Sequence, residues 1–224
     1  MSFYTIFKIT IPVMLGFIPL GIAFGLLAEN IGIAPIVTMA LSVIVYAGAG
    51  QFALLSMLSA GTGLVEIFIA SYVINLRHTF YSLALLKDFK GLKFKYYNIF
   101  ALTDESFAIF KTLKTNSQDE KDRAYTLINL LTQFYWAIGT LLGILVGKSI
   151  RIDYSGIEFC LTSLFIVLAI EMFKDDKNYK LLFFSVGLGA VATAFFPPSY
   201  MLLLSLFIGF VFIVLGDRIK WAKF

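Results

Sequence analysis

The stretch SYVINLRHTFYSL, residues 71–83, places three polar side chains inside an apolar run that extends over residues 62–86. Asn75, Arg77 and His78 fall within four residues, and His78 is the only histidine of the chain. An apolar run of this length is typical of a transmembrane helix, which needs roughly 20 apolar residues. An ionisable group inside such a helix is costly to bury, and it therefore indicates a functional site.

The rest of the sequence has the composition of a multi-pass membrane protein. Of its 224 residues, 59% are hydrophobic and 14% are charged, whereas a soluble domain has about 25% charged residues. We predict an all-α fold, a polytopic membrane helical bundle that forms one domain over residues 1–224. The apolar runs fall at residues 10–28, 33–59, 62–86, 97–113, 125–147, 157–173, 180–196 and 199–216.

Two features of the composition exclude other classes of protein. The single cysteine, Cys160, rules out a disulfide within the chain and a cysteine metal site. The net charge of +4 does not indicate a nucleic-acid partner, because it is explained by loop lysines that set the topology in the lipid bilayer.

The basic residues predict how the runs cross the membrane, because cytoplasmic loops are enriched in lysine and arginine. Residues 87–95 and 111–123 hold eight of the 18 basic residues and flank the short run at 97–113. Placing both basic segments in the cytoplasm makes that run re-entrant or broken. It leaves about seven spans, with the N-terminus outside and the C-terminus inside. A true eight-span chain that breaks the rule at one loop is the alternative.

A second candidate site lies in YAGAGQF, residues 46–52. Its glycines free the backbone to unwind, and unwound backbone at membrane depth is tolerated only where it is buried in protein or lines a cavity. Discontinuous helices near the midplane bind substrates in transporters. We therefore predict that Gly48, Gly50 and Gln51 bind substrate, while a tight turn between two spans or a packed helix stays open as an alternative.

Helical geometry separates the polar residues of the opening stretch. Successive residues turn by about 100°, so Asn75 and His78 share a face, whereas Arg77 points about 160° away from Asn75. The helix therefore has protein or water on both sides, or it unwinds near Asn75. We predict that all three residues bind substrate, since a guanidinium matches a carboxylate. The alternative is a structural ion pair between Arg77 and Asp104 or Glu105.

The adjacent acids Asp104 and Glu105 lie between apolar residues in LTDESF. Neighbouring buried carboxylates can take up and release a proton near neutral pH, as proton coupling requires, or they can bind an ammonium group. In the alternative, Thr103 or Ser106 caps a half-helix. Adjacent acids on one helix cannot converge on a scissile bond, and no nucleophile–base pair or metal set is visible, so we do not predict an enzyme, a metal or a cofactor.

Glycines recur every fourth residue in GTLLGILVG, at Gly139, Gly143 and Gly147. Gly21 and Gly25 have the same spacing. Such glycines let helix backbones approach closely in lipid. They predict either packing between helices of this chain or a subunit interface.

Read in order, Pro19 with Gly21, YAGAGQF, NLRH followed by FYSL, and TDESFAI resemble the AzlC family over roughly residues 10–112. This family is the large permease subunit of two-component branched-chain amino acid exporters. The resemblance implies a multi-pass transporter of the cytoplasmic (inner) membrane with a small AzlD-type membrane protein as partner. The family's motif residues fall on Gly48, Gly50, Gln51, Asn75, Arg77, His78, Asp104 and Glu105.

Charge complementarity suggests how such a carrier would hold a zwitterionic amino acid. The substrate carboxylate would meet Arg77 or free N–H groups near Gly48 to Gln51, and its ammonium would meet Asp104 or Glu105. One of the two acids would exchange a proton. Nothing indicates ATP drive, because the sequence has no G-x-x-x-x-G-K-[ST] loop. A passive channel and a non-transporting membrane assembly subunit are the alternative functions.

Overall fold

A computed structural model describes residues 1–113, 115, 117–149, 166, 179–195, 205, 208–209 and 211–212. Every regular element among these residues is a helix, as predicted. The elements are α1 (Phe3–Asn30), α2 (Pro35–Ala40), a π-helix (Leu41–Val45), α3 (Ala49–Ser59), α4 (Leu64–Ala84), α5 (Lys95–Phe100), α6 (Asp104–Thr112), α7 (Gln118–Ser149) and α8 (Tyr179–Phe195).

The chain divides into two compact units, one of residues 1–52 with 75–160 and one of residues 53–74 with 161–224. In the second unit, Met57, Ile67 and Ala70 form a small core. All candidate site residues belong to the first unit. The predicted runs at 157–173 and 199–216 lie outside the described residues apart from single positions, as does Cys160, and the single domain over 1–224 stays a prediction.

Two helices of the described residues are long and apolar enough to cross a membrane, Phe3–Asn30 and Gln118–Lys148. Ser2 caps α1, since its Oγ accepts a hydrogen bond from the Tyr4 N–H at 3.3 Å. The helix continues through Pro12 and Pro19. In α7, acidic residues in the first turn and Lys148 in the last turn complement the helix dipole. These helices are consistent with a membrane protein.

α1 and α7 pack closely through the glycines that are spaced four apart. A Cβ atom at Gly139 would lie 2.6 Å from the carbonyl oxygen of Ile18, and one at Gly143 would lie 3.0 Å from the Cα atom of Gly25. Real Cβ atoms do not tolerate such separations, so only glycine permits this approach. The glycine face of α7 therefore packs against α1 of the same chain. This is the first of the two alternatives given above, packing between helices of this chain and not a subunit interface.

The two helices run parallel. The Thr10 hydroxyl lies 3.0 Å from the Tyr135 hydroxyl. Further along both helices, a Cβ atom at Gly147 would lie 3.3 Å from the Cβ atom of Glu29. Contacts therefore advance along α1 and α7 in the same direction, and both helices start at one end of the first unit.

The starts of α1 and α7 meet the end of α4 in one hydrophobic cluster. Ile6, Leu85 and Tyr125 are buried together there. Met1 packs against this cluster, and its amino group pairs with the carboxylate of Glu120. We refer to this region as the basic end; it comprises residues 1–6, 85–94 and 117–125.

Both basic segments lie at this end. Lys121 Nζ is 2.8 Å from Asp88 Oδ1, and Lys93 Nζ is 3.4 Å from Asp119 Oδ1. The prediction that the N-terminus lies on the opposite side from these segments is wrong, because Met1 contacts the start of α7. That prediction followed from assigning all seven remaining runs as spans.

The short run at 97–113 consists of two short helices. α5 has six residues, α6 has nine, and Ala101–Thr103 separates them. At 1.5 Å rise per residue, neither helix reaches across the roughly 30 Å of a hydrocarbon core.

Candidate functional site

The helical run at 33–59 is interrupted at Tyr46–Gly48. The π-helix ends at Val45, and α3 begins at Ala49. Tyr46 and Gly48 have φ angles of 42° and 45°. The left-handed conformation costs a non-glycine residue roughly 1–2 kcal/mol, so packing around Tyr46 must stabilise the break.

Gln51 closes this break from inside. Its side chain is fully buried, and its Oε1 accepts hydrogen bonds from the N–H groups of Ala47 at 3.1 Å and Gly48 at 3.2 Å. The N–H groups of Gly50 and Gln51 donate to the carbonyls of Ala47 and Gly48. The N–H groups of Gly48, Gly50 and Gln51 are therefore engaged within the break, and substrate binding by these residues stays a prediction. The Nε2 of Gln51 is buried and has no hydrogen-bond partner among the described residues.

Asn75 lies directly against this break. A Cβ atom at Gly50 would lie 2.8 Å from Asn75 Nδ2 and 3.1 Å from Asn75 Oδ1. Gly50 is therefore required for the close approach of the Asn75 carboxamide. The structure thus brings together Gly50, Gln51 and Asn75, which the sequence proposed as separate clusters.

Arg77 faces a different element. Its Nη1 lies 2.8 Å from Asp104 Oδ2, with 29% of the Arg77 side chain and 27% of the Asp104 side chain exposed. Because α4 is continuous from Leu64 to Ala84, the alternative in which the helix unwinds near Asn75 is wrong. Asn75 and Arg77, which point in opposite directions, each contact a separate broken segment.

Arg77 and Asp104 are joined by a single contact, although both side chains can form further hydrogen bonds. Arg77 Nε and Asp104 Oδ1 are buried and have no hydrogen-bond partner among the described residues. An arginine fork and a carboxylate can form two parallel hydrogen bonds. The observed pair therefore leaves one donor and one acceptor available to a third group.

The start of α6 positions the two acids. Thr103 and Ser106 form a reciprocal cap: the Thr103 N–H donates to Ser106 Oγ at 2.9 Å, and the Ser106 N–H donates to Thr103 Oγ1 at 3.3 Å. Asp104 and Glu105 follow in the first turn, where the helix dipole stabilises negative charge. The capping alternative is thus present in the structure together with the ion pair.

Glu105 differs from Asp104 because it makes no ion pair within the described part of the chain. It is partly buried, in the first turn of α6 beside Asp104. The two adjacent acids therefore differ, because Asp104 pairs with Arg77 and Glu105 makes no such pair.

His78 lies next to the ring of Tyr81. Its ring centroid is 6.1 Å from that of Tyr81, which in turn stacks on Phe107 of α6 at 4.7 Å. Within the described ranges, no group of three His, Cys, Asp or Glu side chains is arranged to hold a metal ion.

Comparison with known proteins bears on this arrangement. The family model named AzlC protein matches residues 12–150, a range that includes every candidate residue. The chain belongs to the AzlC family.

Relatives of this AzlC-family chain come from several bacteria. It is 37% identical over 207 residues to an uncharacterized membrane protein of Helicobacter pylori, covering 92% of this chain and 90% of that protein. It is 30% identical over 203 residues to the branched-chain amino acid transport protein AzlC of Bacillus subtilis, covering 90% and 80%. It is 28% identical over 204 residues to the inner membrane protein YgaZ of Escherichia coli, covering 87% and 83%. No solved structure gives a significant match.

The structure adds one residue to the candidate site residues of this AzlC-family chain, Gln133 near the middle of α7. Its Nε2 donates to the carbonyl of Val43 in the π-helix at 2.9 Å, and its Oε1 accepts from the Tyr97 hydroxyl of α5 at 2.9 Å. Gln133 therefore bridges the two broken segments. The sequence contained a signal for Gln133, because an amide inside an apolar run needs a hydrogen-bond partner just as a charged group does.

A buried amide pair supports α5 beside this bridge in the AzlC-family chain. Asn98 and Asn129 are fully buried, and Asn129 Nδ2 donates to Asn98 Oδ1 at 3.0 Å. Asn98 Nδ2 donates in turn to Thr126 Oγ1 at 3.0 Å. Asn129 and Gln133 lie four residues apart on one face of α7, so this face holds α5 by polar contacts.

Proposed function

We propose that this AzlC-family protein is a secondary transporter that exports branched-chain amino acids across the cytoplasmic (inner) membrane. The name of the Bacillus subtilis relative supports the substrate class, and the name of the Escherichia coli relative supports the membrane. We further propose that export is coupled to protons and that a small AzlD-type membrane protein is the partner. The chain would be a multi-pass protein with discontinuous helices near the midplane.

The Arg77–Asp104 pair is the observation that carries this proposal. An amino acid is a zwitterion, and its two charges are complementary to those of the pair. The substrate would insert between them, with its carboxylate on Arg77 and its ammonium on Asp104. Before insertion, the two side chains neutralise one another, which avoids an unpaired charge in a low-dielectric region. The free Arg77 Nε and Asp104 Oδ1 atoms supply the additional hydrogen-bonding capacity.

Polar groups near the break would complete the substrate site. Gln51 Nε2 is a buried donor with no partner among the described residues, and it replaces the backbone N–H groups as the second donor for a carboxylate. Asn75 and His78 share the face of α4 that turns away from Arg77. Their roles would be to orient the substrate.

Proton coupling is assigned to Glu105 because Asp104 is engaged by Arg77. A carboxylate without a cationic partner changes its protonation state without breaking an ion pair. The polar and charged neighbours of Glu105 among the described residues are Thr103, Asp104, Arg77, Tyr46 and Tyr81. A proton exchanged at Glu105 would alter the field at the adjacent Asp104, which links the proton to the substrate charge.

Efflux of labelled leucine, isoleucine and valine from loaded cells tests the proposed function. Cells that express the protein with a co-expressed AzlD-type neighbour should lose label faster than cells with an empty vector. Arg77→Ala should abolish this difference at normal expression. The matched control is Lys93→Ala, which removes a cation from the exposed Lys93–Asp119 pair and should leave efflux intact. Wild-type efflux by Arg77→Ala would refute the role of the pair.

Two rival functions give different results in the same cells and in liposomes. A passive channel should show conductance, whereas a carrier should show saturable counterflow. A non-transporting assembly subunit should tolerate loss of all three charges at Arg77, Asp104 and Glu105. The subunit alternative relied on the glycines of α7, and those glycines contact α1 within this chain.

A further inference from the structure

We propose that residues 35–59 enter and leave the membrane at the end opposite the basic end. Residues 95–112 enter and leave at the basic end, so the two segments are re-entrant hairpins of opposite orientation. α1 with residues 35–59 and α4 with residues 95–112 then form an inverted repeat. Inverted repeats with discontinuous helices place the transported molecule near the midplane, between the repeats.

The contacts of residues 95–112 with α7 show that this segment turns back. Just before α5, the Lys93 N–H donates to Asp122 Oδ1 at 3.1 Å, near the start of α7. Tyr97 reaches Gln133, near the middle of α7. On the return, Phe110 of α6 stacks on Tyr125 with ring centroids 3.9 Å apart. The segment therefore starts and finishes at the basic end.

The number of membrane crossings between α1 and the end of α4 determines how residues 35–59 are inserted. α1 starts at the basic end and spans away from it, so residue 31 lies at the opposite end. α4 ends at the basic end, where the Ala84 carbonyl accepts a hydrogen bond from Lys111 Nζ at 3.3 Å. Between these points the chain must cross the membrane an odd number of times. Two runs are available, 35–59 and 64–84, so one of them does not cross.

The uninterrupted run is the one that crosses. α4 is less apolar than α1 and α7 because it carries Asn75, Arg77 and His78, whose contacts lie within the protein. Its 21 residues are nevertheless long enough to cross, since at 1.5 Å per residue they extend about 31 Å, which matches a hydrocarbon core of about 30 Å. Residues 35–59 are divided into α2, the π-helix and α3, with a break at Tyr46–Gly48. A break near the middle is what a re-entrant hairpin requires at its tip.

The two hairpins overlap in depth at Gln133. Gln133 bonds to Val43, three residues before the first tip, and to Tyr97, four residues before the second tip, so each tip extends past Gln133 in its own direction. Residues 75–77 of α4 lie between the hairpins, because Asn75 contacts Gly50 after the first tip and Arg77 contacts Asp104 after the second. The charged pair therefore sits where the two hairpins meet.

The helices that follow the two tips share a Phe-Ala pair and a capping geometry. α3 opens with AGQFALL and α6 opens with DESFAIF. In each, the third residue accepts a hydrogen bond from the N–H three positions earlier: Gln51 Oε1 from Gly48 at 3.2 Å, and Ser106 Oγ from Thr103 at 2.9 Å. A Phe-Ala pair follows in both helices. This similarity of α3 and α6 supports the inverted repeat without relying on the number of membrane crossings.

Single-cysteine labelling tests this topology without any measurement of transport. In a Cys160→Ser background, one cysteine is placed before the first hairpin (Ala34→Cys), one after it (Ala60→Cys) and two at the basic end (Lys90→Cys and Ser117→Cys). All four positions are exposed. A membrane-impermeant maleimide is applied to intact cells and to permeabilised cells, with retained expression as a requirement.

Ala34→Cys and Ala60→Cys should react from one side, and Lys90→Cys and Ser117→Cys from the other. Permeabilised cells should label all four, which shows that each thiol is reactive. If Ala60→Cys reacts from the side of Lys90→Cys while Ala34→Cys does not, residues 35–59 cross the membrane and the inverted repeat is refuted. A thiol at residue 60 that stays unreactive after permeabilisation is replaced by Ser59→Cys, which is read in the same way. A transport-negative protein with the expected labelling would refute the proposed function and leave the topology in place.

Discussion

At the scale of single residues, Arg77 and Asp104 have to satisfy two requirements at once. The pair must be stable without substrate, and it must open for a zwitterion. Removing one partner of a buried ion pair typically costs about 3–5 kcal/mol, because the other charge is left uncompensated, whereas removing both charges costs far less. Stability and transport therefore respond differently to single and double replacements.

We expect Arg77→Gln and Asp104→Asn each to lower both the melting temperature in detergent and the efflux of labelled leucine. The double variant should recover the melting temperature of the wild type but not its efflux, because both charges of the substrate lose their partners. Thermal unfolding and efflux are measured on the same preparations. A double variant that also recovers efflux would make the pair purely structural.

Gln51 combines two functions in one side chain, a cap through Oε1 and an available donor at Nε2. Gln51→Leu leaves two buried N–H groups unsatisfied, at about 1–3 kcal/mol each, and should lower the melting temperature. Gln51→Glu keeps the acceptor but loses the donor. When ionised, its carboxylate is stabilised by the two N–H groups that it caps, which partly offsets the burial of its charge. It should raise the leucine concentration for half-maximal transport about tenfold or more, as loss of a hydrogen bond to a charged group implies.

Counterflow in liposomes separates these two effects, because it reports transport per folded molecule. Gln51→Leu should retain near-normal transport once the amount of folded protein is accounted for, if Nε2 does not bind substrate. An equal loss in both variants supports the donor role. Normal half-saturation in Gln51→Glu would contradict it.

At the scale of secondary structure elements, the glycines that join α1 to α7 set the spacing of the whole first unit. A side chain at Gly139 or Gly143 would collide with backbone atoms of α1, which cannot move independently. Overpacking of this kind costs about 1–3 kcal/mol or more. Gly139→Leu and Gly143→Leu should therefore fold poorly even without a partner protein.

The matched control for these two variants is Gly16→Leu. Gly16 lies on α1, the helix that Gly139 and Gly143 of α7 contact, but a Cβ atom at Gly16 would meet nothing within 4 Å. Fluorescence-detected size-exclusion chromatography measures the monodisperse fraction of each variant. Normal folding of Gly143→Leu would show that α1 and α7 do not approach as closely as described.

Gln133 connects the two broken segments, and its replacement should affect both. Gln133→Leu removes the bonds to Val43 and Tyr97 together, while Tyr97→Phe removes one of them. We expect hydrogen exchange to increase around residues 41–48 and 95–103 in Gln133→Leu, and only around 95–103 in Tyr97→Phe. Exchange confined to one segment in Gln133→Leu would argue against a shared bridge.

The sequence predicts these elements to different extents, for physical reasons. The break at YAGAGQF follows from local backbone freedom, and it was predictable from Gly48 and Gly50. The inward fold of Gln51 depends on a side-chain conformation that spacing does not determine. The N-terminus was misplaced because the positive-inside rule counts charges in loops, and it contains no information that Met1 packs beside Glu120. Gln133 was overlooked because an uncharged amide gives a weaker signal than an arginine.

At the scale of the whole molecule, the two hairpins and α4 converge on a region where one acid is paired and the other is not. Transport coupled to a proton gradient requires a group that changes protonation between the two sides of the membrane, whereas exchange of substrate for substrate does not. A carrier that has lost its protonatable group should therefore still exchange amino acids. It should no longer move them against their gradient.

Glu105→Gln tests this separation in proteoliposomes that contain the protein and the AzlD-type protein proposed as its partner. Counterflow of labelled leucine should be retained, and uphill movement driven by an imposed pH gradient should be lost, because glutamine keeps the size and hydrogen-bonding groups of the side chain but cannot carry a proton. Glu29→Gln is the matched control, since Glu29 is likewise an acid that makes no ion pair among the described residues but lies at the end of α1. That variant should keep both activities. Loss of counterflow in Glu105→Gln would place Glu105 in the substrate site, and retained uphill movement would exclude it as the proton carrier.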